Sequence, residues 1–123
     1  MIAYVTVGVT DMERAKTFYS ALLADMGASV VVDMGRIAMI GKSMQEPMLG
    51  LCIPFNEQAP ESGNGNMVAI TAGSKDNVDK LYKKARELGA SCEGEPGQRI
   101  PDMFYGAYVR DPDGNKLAFI QFG

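Results

Sequence analysis

One pattern of secondary structure occurs twice along the chain, and this repeat limits the fold more than any other feature. Residues 4–9 have the alternating side chains of a strand, and Asp11 can cap the helix that follows. Residues 67–72 form the matching strand of the second half, where Ser74 is the matching cap. The sequence therefore predicts an internal duplication, in which one supersecondary unit forms twice.

Each predicted helix carries one apolar stripe, with spacings of three and four residues that keep the stripe on one side. The stripes comprise Met12, Ala15, Phe18, Tyr19, Leu22, Leu23 and Met26 in the first helix, and Val78, Leu81, Tyr82, Ala85 and Leu88 in the second. Gly27 and Gly89 follow the helices and can adopt the left-handed conformation that ends them. Placing Tyr4 on Met67 also aligns Tyr19 with Tyr82, which supports the duplication.

Three β-rich stretches follow each helix, so each half has the order β-α-β-β-β. They cover residues 28–33, 36–40 and 48–55 in the first half, and 91–93, 104–109 and 117–122 in the second. Asp111-Pro112-Asp113-Gly114 predicts a hairpin turn between the last two strands. A doubly wound α/β domain is excluded, because it needs helices between successive strands.

We therefore predict an α+β fold made of two βαβββ modules in one domain. Module 1 covers about residues 1–56, an exposed linker about 57–65, and module 2 about 66–123. The linker is predicted from its content of Asn, Pro, Glu, Ser and Gly.

Charge and composition exclude several classes of partner. The net charge is −3, which gives no basic surface for a nucleic acid, and no apolar stretch approaches the roughly 18 residues of a membrane span. The amino terminus has no secretory signal pattern, and Cys52 and Cys92 form no disulfide or metal-binding motif. We expect a cytoplasmic protein with reduced thiols. The chain has no histidine, which removes the commonest metal ligand and acid–base group.

Two segments resemble the vicinal oxygen chelate superfamily, which includes glyoxalases, bleomycin resistance proteins and extradiol dioxygenases. Residues 5–19, Val-Thr-Val-Gly-Val-Thr-Asp-Met-Glu-Arg-Ala-Lys-Thr-Phe-Tyr, are similar to the opening of these proteins, and Tyr108–Leu117 is similar to their closing hairpin. The resemblance implies a curved, incompletely closed barrel of mixed β-sheet. In metal-dependent members, four positions on the barrel floor hold a divalent cation.

Here those four positions fall on Tyr4, Met67, Ala118 and a residue on or beside Cys52. Of these, the thiol alone is a usual ligand for the metals of the superfamily, which need several converging donors. The resemblance therefore implies that this chain holds no metal and no other cofactor, and that none of its residues is assigned a catalytic role.

We predict that the pocket is lined by Tyr4, Thr6, Cys52, Met67, Tyr105, Tyr108, Arg110 and Ala118. Tyr4 lines the pocket or acts as a proton donor, and Met67 lines it or, as we favour, fills the core. For Cys52 an inert buried thiol is favoured over a nucleophile. Either Tyr105 or Tyr108 faces the ligand. Arg110 binds a ligand carboxylate or, as we favour, pairs with the neighbouring turn.

The resemblance implies a metal-independent protein that sequesters a small apolar or aromatic ligand between its modules. The alternative is a glyoxalase-like lyase or isomerase, or a dioxygenase, with an atypical active site. A third hypothesis is a degenerate relative with a regulatory role. We also expect a homodimer, with contacts at residues 34–40 and 48–55, whose apolar content exceeds the needs of one small core.

Overall fold

The computed structural model describes residues 1–123, which divide into two compact units, Met1–Ser62 and Gly63–Gly123. Each unit contains one helix and four strands in the order β-α-β-β-β. The predicted α+β class and the two βαβββ modules are therefore confirmed.

The first unit is an open four-stranded sheet that carries one helix. Its elements are β1 (Tyr4–Gly8), α1 (Met12–Leu23), a 3₁₀ turn (Ala24–Met26), β2 (Ser29–Asp33), β3 (Ile37–Gly41) and β4 (Met48–Cys52). The strand order is β1-β4-β3-β2. β1 runs parallel to β4, whereas β2, β3 and β4 pair as antiparallel neighbours.

The second unit has the same topology. Its elements are β5 (Val68–Thr71), α2 (Lys75–Glu87), β6 (Ser91–Ile100), β7 (Phe104–Arg110) and β8 (Lys116–Phe122). The strand order is β5-β8-β7-β6, with β5 parallel to β8 and antiparallel pairs elsewhere.

Both helices begin at the predicted caps and bury most of the predicted stripes, whereas Met12, Met26, Tyr82 and Leu88 stay partly exposed. The Asp11 carboxylate accepts a hydrogen bond from the Arg14 amide at 3.1 Å, and the Ser74 hydroxyl accepts one from the Asn77 amide at 3.0 Å. The buried helical side chains are Ala15, Phe18, Tyr19, Leu22, Leu23, Val78, Leu81 and Ala85. Each large apolar one contributes about 1.5–3 kcal/mol through removal from water. Neither helix has the length and apolar character that a membrane crossing requires.

Strand β6 is longer than predicted, because it extends to Ile100 rather than ending near Glu93. Gly94, Pro96 and Gly97 interrupt the alternation that identifies a strand in a sequence, yet pairing with β7 continues past them through register shifts. The strand lies at the edge of its sheet, where a proline can be accommodated.

The predicted hairpin turn between β7 and β8 is confirmed, and Asp111 organises it from a buried position. One of its carboxylate oxygens accepts hydrogen bonds from the amides of Asp113 (2.9 Å) and Asn115 (2.8 Å), and the other accepts one from the Asn115 side chain (3.0 Å). Gly114 takes a positive φ of 90°, which few other residues adopt.

Replacement of this carboxylate should destabilise the fold. Asp111→Ala leaves two backbone donors without their buried acceptor, and we expect a loss of about 2–4 kcal/mol in the free energy of unfolding, measured by urea denaturation. Glu87→Ala on the exposed side of α2 is the matched control, and its stability should stay within about 0.5 kcal/mol of the original. Equal stability of the two variants would contradict this role for Asp111.

Candidate functional site

Each sheet has a helix face, which its helix covers, and a far face on the opposite side. In the first unit Lys16 of α1 binds the Asp33 carboxylate at 2.9 Å, so Asp33 and its register partners point to the helix. Side chains alternate along a strand, so the residues between those partners point to the far face. Among the predicted pocket residues, the far face of the first unit contains Tyr4, Thr6 and Cys52.

In the second unit the tyrosines of β7 point in opposite directions. The Tyr105 hydroxyl donates a hydrogen bond of 2.6 Å to Asp79 of α2, which places Tyr105 on the helix face. Tyr108 therefore lies on the far face, together with its register partner Ala118 and with Arg110. Met67 directly precedes β5 and continues the same alternation. The structure thus brings four predicted residues to one surface and separates Tyr105 from them.

The centre of the far face of the first unit is filled by Thr6 and Met39. A β-carbon added at Gly50 would lie 3.1 Å from Cγ2 of Thr6 and 3.2 Å from Sδ of Met39. The absence of a side chain at Gly50 thus lets these two neighbours close over the strand.

The four positions that hold the metal in metal-dependent members are called the inherited positions below. Strand register changes which residue of this chain occupies one of them. Ala118 pairs with Ala69, which lies two residues after Met67. The equivalent of Ala69 in the first unit is Thr6, two residues after Tyr4, and Thr6 pairs with Gly50. The counterpart of Ala118 is therefore Gly50 rather than Cys52.

Cys52 lies at the far end of the same strand pair, opposite Gly8, and it is half-buried rather than buried as expected. Its sulfur accepts a hydrogen bond from Arg36 Nη1 at 3.3 Å, and its thiol donates one to the Ile53 carbonyl oxygen at 3.2 Å. The Arg36 guanidinium also lies 5.4 Å from the centroid of the exposed Phe55 ring. The thiol is therefore held in a local polar cluster.

Two other predicted pocket residues, Tyr4 and Met67, are exposed rather than half-buried. Tyr4 keeps 48% and Met67 44% of its accessible surface, so Met67 does not fill the core as favoured. Arg110 follows the favoured alternative, since its Nη1 donates to the Gly114 carbonyl of the turn at 2.9 Å. Its Nε also donates to Glu93 at 2.7 Å, and this hydrogen bond is the main reason that the pKa of Glu93 is lowered.

The sequence analysis missed two cations beside Tyr108. The Arg99 guanidinium carbon lies 5.3 Å and the Lys116 Nζ 5.5 Å from the centroid of the Tyr108 ring. Lys116 lies in the closing hairpin segment, opposite Arg110 in the strand register. The predicted hairpin could therefore have indicated that Lys116 lies near the predicted pocket residue Arg110. Arg99 lies in the part of β6 that the alternation pattern does not predict.

The four inherited positions do not fit a divalent cation. With Gly50 in place of Cys52, they provide a phenol, a thioether, a methyl group and no side chain at all. No three His, Cys, Asp or Glu side chains of the chain are grouped as a metal site would require. Superfamily metals need several nitrogen or oxygen donors within about 2.0–2.2 Å, and this set cannot provide them.

Comparison with known proteins identifies the class to which this fold and these positions belong. The family model of the glyoxalase/bleomycin resistance protein/dioxygenase superfamily matches residues 1–119, and the chain is a member of that superfamily. A glyoxalase/bleomycin resistance protein from Albidiferax ferrireducens T118 is 34% identical, with a TM-score of 0.87 over 98% of this chain and 97% of that one.

More distant structures share the fold alone. A glyoxalase/bleomycin resistance protein/dioxygenase family enzyme from Burkholderia phytofirmans PsJN is 18% identical, with a TM-score of 0.77 over 96% of this chain and 95% of that one. A lactoylglutathione lyase from Agrobacterium tumefaciens is 22% identical, with a TM-score of 0.68 over 98% and 92%. The curated proteins contain no match to the chain.

The hydrogen bond between Tyr105 and Asp79 gives a testable pH dependence. It raises the pKa of Tyr105 above its ordinary value, because the carboxylate accepts a hydrogen bond from the neutral phenol and disfavours the phenolate. The folded-state pKa exceeds the unfolded one, so this contribution to stability is present below the unfolded pKa and is lost as pH rises through the folded pKa. Asp79→Asn should lower the pKa of Tyr105, as measured by NMR titration of ring-labelled tyrosine.

Asp76→Asn is the control for this titration, since the Asp76 charge acts on Tyr105 more weakly than the hydrogen bond does. If Asp76→Asn lowered the pKa of Tyr105 as much as Asp79→Asn, general charge rather than the hydrogen bond would be responsible.

Proposed function

We propose that this protein binds a small apolar or aromatic molecule without a metal, on the far faces of its units. The observation that carries the proposal is the side-chain content of the four inherited positions. Tyr4 and Met67 offer exposed apolar surface, while Gly50 and Ala118 are buried and provide no reactive group. Methionine adapts to varied apolar shapes and a tyrosine ring presents a flat face, so these positions suit binding better than metal chemistry.

The alternative is a glyoxalase-like lyase or isomerase, or a dioxygenase, with an atypical site. It lacks support in the residues, because these reactions need a Lewis acid or a general base, and the four positions provide neither. Formation of lactoylglutathione from the methylglyoxal–glutathione adduct, above background and dependent on added Zn²⁺ or Ni²⁺, would favour it.

We further propose a cytoplasmic homodimer. Both cysteines are free thiols, which suits a reducing compartment. Of the segments expected at the dimer contact, Ala38, Met39 and Ile40 are already buried within the chain, whereas Met34 and Phe55 are 63% and 85% exposed. We therefore assign the contact to these two side chains, since large exposed apolar groups favour association.

A ligand-dependent shift in thermal unfolding tests the binding proposal. A library of planar and apolar molecules should contain compounds that stabilise the protein by about 2.7 kcal/mol at a hundredfold excess over Kd, which raises the unfolding midpoint by several degrees. The shift should be unchanged by EDTA or by added Zn²⁺. Tyr4→Ser and Met67→Ser should reduce it, whereas Met44→Ser, at an exposed methionine between β3 and β4, is the matched control.

The proposal would be refuted if no compound in the library raised the unfolding midpoint, or if the midpoint rose only when metal was added.

Light scattering at micromolar concentration tests the dimer. We expect twice the chain mass of 13.3 kDa, and a return to the mass of one chain for Phe55→Ser combined with Met34→Ser. Ile100→Ser combined with Met103→Ser removes exposed apolar groups of the second unit and should leave the mass unchanged. A single-chain mass for the original protein would refute the dimer.

A further inference from the structure

The far face of the second unit carries more positive than negative charge. Arg99, Arg110 and Lys116 lie there, and Glu93 pairs with Arg110. Neither Arg99 nor Lys116 forms a salt bridge with a carboxylate of the chain. Two cations of this surface are therefore available to an anionic group.

This surplus is local and does not follow from the composition of the unit. The unit contains eight basic and eight acidic residues and is neutral overall. Two of its acidic side chains act elsewhere: Asp111 organises the turn and Asp79 holds Tyr105. Of the three cations on the far face, Arg110 forms a salt bridge with a carboxylate, that of Glu93.

The backbone around Arg99 and Tyr108 is shaped to hold the guanidinium against the sheet. A β-carbon at Gly97 would lie 2.7 Å from Arg99 Nη1, and one at Gly94 would lie 3.2 Å from Nη2 and 2.9 Å from Cδ2 of Tyr108. Arg99 also donates a hydrogen bond to the Glu95 carbonyl. A side chain at either glycine would have to displace the guanidinium, so these glycines leave it room to lie against the backbone.

Tyr108 contributes to the site by positioning the cations rather than by stacking on a ligand. Arg99 and Lys116 each lie within about 6 Å of its ring centroid, where the ring attracts a cation. Cations that already contact the ring lose less conformational entropy when an anion binds than side chains without such contacts.

We propose that Arg99 and Lys116, held by Tyr108, bind the carboxylate of an aromatic or apolar organic acid. The inference rests on the proposed small-molecule binding and specifies its ligand class. Guanidinium and ammonium groups both form charge-assisted hydrogen bonds with carboxylates.

Three matched probes test this proposal: 2-naphthoate, 2-naphthamide and 2-naphthylmethylammonium, which share one ring system and differ in charge. Titrations followed by backbone NMR should show 2-naphthoate binding roughly tenfold more tightly than the amide, with shifts at Gly94, Gly97 and Tyr108. The ammonium probe should bind most weakly. The preference for the acid should fall as salt is raised, because these cations are exposed or half-buried.

Variants separate this site from general charge effects. Arg99→Met and Lys116→Met should each weaken 2-naphthoate binding roughly fivefold and leave 2-naphthamide binding unchanged. Lys83→Met on the exposed side of α2 removes the same charge elsewhere and should have no effect. Tyr108→Phe should keep the preference for the acid, and Tyr108→Leu should reduce it. Arg99→Gln replaces Arg99→Met if the latter does not fold.

The outcomes distinguish this inference from the proposed function. Equal binding of all three probes, or tight 2-naphthoate binding that Arg99→Met and Lys116→Met do not weaken, would overturn the carboxylate site and leave the binding function in place. Failure of all three probes would overturn the carboxylate site, while the library screen decides separately on small-molecule binding.

Discussion

The parallel pairing between the first and the last strand of each unit determines the arrangement of the other elements. β1 pairs with β4 and β5 with β8, so each unit closes its sheet with strands far apart in sequence. A parallel pair needs a long crossover, and here the helix and two further strands provide it. The helix covers one face of each sheet. The inherited positions lie on the other face, in or directly beside β1, β4, β5 and β8. The candidate site exists because of this division.

Local features of the fold could be predicted because they depend on neighbours in sequence. The helix stripes, the caps at Asp11 and Ser74, and the turn at Asp111 each rest on residues within a few positions of one another. Strand β6 was predicted too short for the same reason, since its glycines and proline break the local pattern while its pairing with β7 is long-range.

The site was harder to predict because it depends on register between distant strands. Alternation shows that Tyr105 and Tyr108 differ in direction, but the contact with Asp79 shows which one faces the helix. A two-residue difference in pairing likewise separates Gly50 from Cys52 as the counterpart of Ala118. Such a shift keeps a side chain on the same face, so the hydrophobic pattern of the sequence does not reveal it.

The two units share a backbone topology but have diverged in charge. The first contains four basic and seven acidic residues, whereas the second contains eight of each. Around Ala118, an inherited metal position, the neighbours are Tyr108 in register and Lys116 two residues away on the same strand. Lys116 and Arg99 place positive charge beside this position, which repels a divalent cation and attracts an anion. The same position therefore opposes metal binding twice, through its missing donor and through the sign of the charge around it.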